Sequence, residues 1–401
     1  MTTPANQKPK DLFLLEGISV LCFNKDFTEV ALSKKDNKIY IYSIKDLHKT
    51  DTWKLIHTLE SHYQYISGLD WCPETNRILS CSYDKTTFVW DFTELKDEKK
   101  WVPSNVVWTT KLGYLCCKWN KRGDKFCEGT SAKHLLIGYY NKKTNWWMCK
   151  AIKVPKKIDE NAEKTKETKN KKEKEETQNP HKSSVVACEI DPSSLFVLSG
   201  STDLRVYVSS CYIPKIDDQF LTEEQKAAAV PFGQVIYEFK ENSWINSLTW
   251  LPSGERGVVA GQDAVILVLN PKEEKEKQTE IIRCKHSPAT MIIPKSDTSF
   301  YAVCYDRNIL EYEKKDDTWE IKKTITTKKE GADNKAKTQL GGSVTVALLK
   351  FQRMGDIKKE NLAVATKQAS HLHKSIISSC NIIGKDMITT DVSGFVKYWK
   401  L

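Results

Sequence analysis

The sequence predicts an all-β fold, a seven-bladed β-propeller, and three observations predict it. Short runs of alternating apolar and polar residues, separated by Gly, Pro, Asn or Asp turns, recur along most of the 401 residues. Seven such units align, and six carry an Asp at the same turn. The seventh stops at its third strand, so a fourth must come from elsewhere in the chain.

The clearest unit is "HYQYISGLDWCPETNRILSCSYDKTTFVWDF", residues 62–92. It supplies a His, a strand through Ile66, Gly68 and Asp70, a Pro/Asn turn, a strand from Ile78 to Ser82, a turn at Asp84, and a third strand ending in Trp90 and Asp91. This is the layout of a WD repeat, whose period is about 40 to 45 residues and whose four strands make one blade. In that layout Asp84 accepts from His62, His62 contacts Ser80, and Ser80 receives the indole N–H of Trp90. Such a buried chain ties the blade's inner loop to its outer strands and tolerates no missing partner.

The other units are weaker versions of this one. The first, "ISVLCFNKDFTEVALSKKDNKIYIYSI", has Asp36 and places Tyr42 where Trp90 stands. The third, "YLCCKWNKRGDKFCEGTSAKHLLIGYY", keeps the strands but lacks the Asp. The fourth has His181 and Asp203, with Ser209 at the aromatic place, and the fifth keeps Asp263. The sixth has His286, Asp306 and Tyr312, and the seventh has His373, Asp391 and Trp399 after a longer turn. The apolar "DLFLLEG" near the N-terminus is the candidate for the missing strand. Pairing it with the last repeat closes the ring and protects the sheet edges.

Three insertions are expected in this single domain, residues 1–401. The first, 156–182, is a Lys/Glu run with nearly balanced charge and reads as a solvated, disordered insertion. The second, 212–233, carries a short helix from Thr222 to Ala229 capped by Thr222, then a loop. The third, 327–372, contains "GGSVTVALLKFQRMGDIKK", where Val344, Ala347, Leu348, Phe351 and Met354 fall on one helical stripe and Lys350, Gln352 and Arg353 lie elsewhere. That stripe either packs on the propeller's own flank or docks in a partner's groove. Its composition leaves both readings open.

Composition narrows the function. The 12 Trp and 15 Tyr suffice for a substantial core. No run approaches the roughly 18 apolar residues of a membrane span, and the N-terminus lacks the features of a secretory signal, so a soluble intracellular protein without a membrane partner is expected. The 12 cysteines form no C-x-x-C pair and read as buried free thiols in a reducing compartment. The net charge of +10 favours acidic partners.

No G-x-S-x-G elbow, P-loop or H-E-x-x-H occurs. The histidines His62, His181, His286 and His373 recur at the head of a repeat, which blade architecture explains more simply than catalysis or metal binding. Neither an enzyme nor a cofactor or metal site is expected. A nucleic-acid-binding propeller is the rival of another class, but basic and acidic residues are interleaved without an Arg-rich stripe. A WD scaffold of some other cytoplasmic complex is the second rival.

Four further motifs carry a resemblance: "NWWMCKAIKVP" at 145–155, "PFG" at 231–233, "NKD" at 24–26 and "LDWCPETNRI" at 69–78. Together they resemble the WD-repeat subunit, subunit 1, of the actin-related protein 2/3 complex, over nearly the whole chain. That family carries a helix between its sixth and seventh blades that contacts actin, where this chain has "VALLKFQRM". The resemblance implies an actin-contacting helix over about 344–354, with Val346, Ala347, Lys350, Phe351, Gln352 and Met354 at places that match the family and Leu348 and Leu349 where the family tends to carry charge; with the helical stripe, the candidate contact residues are Val344, Ala347, Leu348, Lys350, Phe351, Arg353 and Met354. It also implies a non-catalytic subunit in the cytoplasm and actin cytoskeleton, acting in actin nucleation and branched filament assembly. The partners it implies are the other subunits, the actin filament and the acidic tails of nucleation-promoting factors.

Overall fold

The computed structural model describes residues 12–13, 17–49, 52–95, 98–155, 177–273, 278–284, 286–325 and 373–401. They form seven four-stranded antiparallel sheets. Blade one is built from Val20–Phe23, Glu29–Ser33, Lys38–Ser43 and Lys54–Glu60, and blade two from Ile66–Trp71, Ile78–Ser82, Thr87–Leu95 and Glu98–Asn105. Blade three runs from Tyr114–Trp119 through Lys125–Thr130 and Leu135–Asn141 to Trp146–Ala151. Blades four, five and six begin at the inner strands Val185–Ile190, Ile245–Trp250 and Ala289–Ser296 and end at the outer strands Val235–Lys240, Thr279–Arg283 and Thr318–Ile325.

Blade seven takes three strands from the C-terminus, Ile377–Ile383, Asp386–Asp391 and Phe395–Lys400. Its outermost strand is Leu12–Phe13, with Leu12 opposite Val396 and Phe13 opposite Phe395. The N-terminal segment thus closes the sheet as its sequence predicts. Each inner strand touches those of both neighbouring blades, and Val20–Phe23 meets Ile377–Ile383, so the circle is complete. This is a seven-bladed propeller of WD repeats.

The ring is held by packing between blades. Seven clusters of buried apolar residues are present, and each lies between two successive blades. Ile66, Trp71 and Ile78 of blade two pack on Ile39 and Ile41 of blade one, and Ile388 and Val396 of blade seven pack on Leu21 and Val30 across the closure. Each blade buries apolar side chains on both faces, so neither face is stable without its neighbour. The inner strands of blades two to seven share a register shift just after their first residue, as at Ile66/Gly68 and Val185/Ala187. A bulge repeated at that place adds twist where the strands converge on the axis.

The insertions differ from expectation in detail. Thr177–Gln178 pair with Val154–Pro155, and His181 already belongs to blade four, so the last residues of the expected first insertion are part of the described fold, and 156–176 lie outside the described residues. The helix of the second insertion is Glu223–Ala227, shorter than expected at its C-terminal end. Thr222 and Gln225 form a reciprocal capping box at its start. A further turn of helix, Pro214–Asp217, was not foreseen, and Asp217 is its one buried residue. The expected docking helix and all seven of its named residues lie outside the described residues.

Candidate interaction faces and the networks that hold them

The His–Asp–hydroxyl–indole chain of blade two is continuous. His62 Nδ1 lies 3.0 Å from Asp84 Oδ2 and Nε2 lies 2.9 Å from Ser80 Oγ, which accepts the Trp90 indole N–H at 2.9 Å. Burial alone would raise the Asp84 carboxyl, but hydrogen bonds from His62, Thr86 and the Tyr63 N–H outweigh it and hold the carboxyl well below the usual range. Asp84 thereby fixes both the loop entering the blade and the turn between its second and third strands.

Blade seven repeats the chain with a displaced acid. His373 lies 3.1 Å from Asp391 Oδ2 and 2.6 Å from Thr389 Oγ1, which also accepts from the Trp399 indole at 2.6 Å. Strand register puts Asp391 at the place of Ser82, two positions before that of Asp84. The longer turn is thus accommodated by drawing the carboxylate from the strand end. Blade four reaches Ser199, 2.9 Å from His181 Nε2, and stops there. Ser209, at the place of Trp90, is too short to continue, and its buried hydroxyl has no partner.

The remaining blades substitute other groups. In blade five no His precedes the strand. Glu241 is buried beside Asp263, and burial first, then the Asp263 charge and a hydrogen bond with it, raise the Glu241 carboxyl. In blade six His286 Nδ1 is 3.4 Å from Asp306, Ala302 replaces the hydroxyl, and the Tyr312 phenol donates to Cys284 Sγ instead. In blade one the Tyr40 hydroxyl donates to Asp36 at 2.8 Å.

These networks position the loops on one face of the ring, where four blades expose large apolar side chains. The rung that closes the first two strands of each blade recurs as Tyr83 N–H to Tyr65 O, Gln262 N–H to Trp244 O, Tyr305 N–H to Pro288 O and Val392 N–H to Ile376 O. At these equivalent places Tyr65, Tyr83, Trp244, Tyr305 and Ile376 are exposed, Trp244 by 58%, and Tyr63 beside them by 85%. Tyr65 and Tyr83 meet at a centroid distance of 5.7 Å, and exposed aromatic side chains of this kind are candidate contact residues for a protein partner. None of them is distinguished in the sequence by a motif of its own. The opposite mouth holds a cavity of about 310 Å³ lined by Trp71, Trp119, Trp250 and the turn residues Pro73, Pro192 and Pro252.

The second insertion is fastened to blades three and four by a buried ion cluster. Lys125, fully buried, donates to Asp217 Oδ2 at 2.8 Å and to the Ser194 and Cys211 carbonyls at 2.6 and 3.1 Å. Arg122 donates to the other Asp217 oxygen at 2.5 Å. Among the described residues, no group of three or more His, Cys, Asp or Glu side chains is arranged to hold a metal ion.

The fold defines a WD-repeat propeller. The family model "WD domain, G-beta repeat" matches residues 53–91 and 172–208, within and around blades two and four. The chain is 27% identical over 400 residues to actin-related protein 2/3 complex subunit 1A of Arabidopsis thaliana, covering 96% of this chain and 94% of that protein. It is 26% identical over 297 residues to subunit 1A-A of Xenopus laevis, covering 73% of this chain and 70% of that protein. Subunit 1 of Schizosaccharomyces pombe is 22% identical over 286 residues, covering 71% and 67%. The chain is a non-catalytic WD-repeat protein related to subunit 1 of the actin-related protein 2/3 complex.

Proposed function

We propose that this chain is the WD-repeat subunit of an actin-related protein 2/3 complex, bridging other subunits and taking part in branched actin filament assembly. The observation that carries the reading is the similarity to the Arabidopsis relative, which runs through all seven blades and the segments between them. A shared WD pattern alone would align only blade residues. Exposed Tyr63 and Trp244 are available for contact with other subunits.

Within this reading, the segment around 344–354 contacts the actin filament through Val344, Ala347, Leu348, Phe351 and Met354, with Lys350 and Arg353 meeting acidic actin side chains. The positive charge of the chain suits the acidic tails of nucleation-promoting factors. Replacing Leu348 and Phe351 together by Asp tests this assignment in the assembled complex. The expected result is an intact complex with filament-side binding and branching reduced roughly tenfold or more, the loss of two buried apolar anchors. Unchanged branching, or a propeller destabilised by the same change, would show that the stripe packs on its own blades.

A further inference from the structure

The mouth of the ring away from the exposed aromatics collects charged and aromatic side chains from successive blades. The inner strands of blades two, three and four carry Asp70, Lys118 and Glu189 at their next-to-last place, and those of blades two, three and five end in Trp71, Trp119 and Trp250. Equivalent places on neighbouring inner strands face the same axis, so these residues gather there although they lie far apart in sequence. Asp70 Oδ2 accepts the Trp119 backbone N–H at 2.8 Å, and Lys118 Nζ lies 3.1 Å from Glu189 Oε1. Asp70, Glu189 and the three Trp line the cavity of about 310 Å³.

Two polar atoms of these lining residues are left over. The Trp71 indole donates to Asn76 Oδ1 at 2.8 Å and the Trp250 indole to the Glu189 carbonyl at 3.1 Å. The Trp119 indole N–H is buried without a partner, in a residue only 6% exposed, and so is the second carboxylate oxygen of Glu189, Oε2. Buried polar groups of a folded protein are nearly always hydrogen-bonded, so a donor and an acceptor left over beside one cavity point to something that fills it. Charge gives its sign. Glu189 is matched by Lys118, whereas Asp70 has no salt bridge among the described residues. Burial raises the Asp70 carboxyl against the opposing pull of the Lys118 charge. Lys121 also lines the cavity, but it is exposed and its charge is screened by water. A cation entering this mouth therefore meets one negative charge in excess, that of Asp70.

We propose that this cavity receives an arginine side chain from a partner protein. The guanidinium donates to Asp70 and to Glu189 Oε2, and the Trp119 indole donates to a backbone carbonyl of the partner's loop. Arginine suits the site better than lysine, because its planar fork of five donors serves two acceptors on different blades at once, whereas an ammonium is a single, strongly hydrated point charge. The turn residues Pro73, Pro192 and Pro252 supply apolar surface for the methylene stem. The acceptors come from blades two and four and the unpaired donor from blade three, so the site exists only in the assembled ring. It requires a partner with an exposed arginine, whichever complex the chain joins, and so stands apart from the function proposed above.

The test uses the full chain in the assembly with which it purifies. Lys121→p-benzoylphenylalanine places a photocrosslinker among the lining residues without removing an acceptor. Irradiation and peptide mass mapping should join it to one segment of another chain, with an arginine beside the linked residue. Adding Asp70→Asn should lower the yield roughly tenfold or more, the loss of one hydrogen bond between charged groups. The assembly itself should stay intact, because the amide oxygen still accepts from the Trp119 N–H. Replacing the partner's arginine by alanine should give the same loss, and by lysine a smaller one. A linked segment without arginine, linkage only within this chain, no linkage above the unirradiated control, or a yield unchanged by Asp70→Asn would each overturn the proposal. Where Asp70→Asn fails to assemble, the alanine variant of the partner decides it, since it leaves this chain as it is.

Discussion

In blade two, Ile78 pairs with Trp90 and the indole reaches inward to Ser80; in blade three the same rung pairs Phe126 with Gly138. A Cβ on Gly138 would come within 2.0 Å of the Phe126 ring, so the large side chain has moved across the pair and the small one has taken its place. Phe126, Trp119 and Trp147 then meet at centroid distances of 5.3 to 5.7 Å, and no His heads this blade and no Asp stands at its turn. At the place of Ser80 stands Glu128, fully buried, with one oxygen accepting from Cys149 Sγ at 3.5 Å. Neighbouring blades are thus fastened by different means, a polar chain in one and an aromatic cluster with a buried ion pair in the other. A closed ring needs every blade to pack, but it does not need every blade to be tied in the same way.

Asp217→Asn leaves the buried Lys125 ammonium without its counter-charge. Chemical denaturation of the full chain should show a loss of about 3 to 5 kcal/mol. A loss below about 1 kcal/mol would mean that blade three does not depend on this pair.

Acidity separates the two blades by sign. Burial, opposed by hydrogen bonds from Thr87 and Cys149, raises the Glu128 carboxyl to about 7. A folded value above the unfolded one favours the protonated fold, so this contribution is full below the unfolded value near 4.5 and is lost as pH rises through about 7. Glu128→Gln should therefore be close to neutral at pH 4.5 and stabilising by up to roughly 3 kcal/mol at pH 8. The depressed carboxyls of Asp84, Asp203 and Asp391 behave oppositely. Their contribution is present above the ordinary Asp value of about 3.9 and is lost only as pH falls through their folded values. Denaturation midpoints measured from pH 3 to 8 in wild type and Glu128→Gln check both signs.

A smaller effect is expected in blade two. His62→Ala leaves Asp84 and Ser80 short of a partner and should cost about 2 to 3 kcal/mol, with little further loss when Ser80→Ala is added. Full additivity of the two changes would show that the chain is not one unit. Gly138→Ala forces its methyl into the Phe126 ring and should cost about 2 kcal/mol, most of it recovered by Phe126→Leu. Failure of that rescue would place the strain in the backbone instead.

Much of the fold could be read in advance, because it rests on local signals. Alternation marks the strands, the recurring Asp marks the turns, and a repeat short of one strand points to the apolar segment at the other end of the chain. The His62, Asp84, Ser80 and Trp90 chain could be read for the same reason, since all four lie within one repeat. The Lys125–Asp217 pair could not, as its partners lie in different repeats and neither has an unusual neighbourhood in sequence. Asp391 looks like a turn residue until register shows it on the strand. The exposed aromatics could not be read either, because Tyr65 and Tyr83 alternate with polar residues like any strand-end residue and only the fold shows that they meet.

If this propeller works as a subunit of an actin-branching assembly, it should purify with fixed companions. Affinity purification of the tagged chain under native conditions, with mass spectrometry of the proteins recovered in equal amounts, measures this. Two actin-related proteins and further subunits are expected in equal amounts with this chain. A chain recovered alone, or in a stable complex without actin-related proteins, would contradict it.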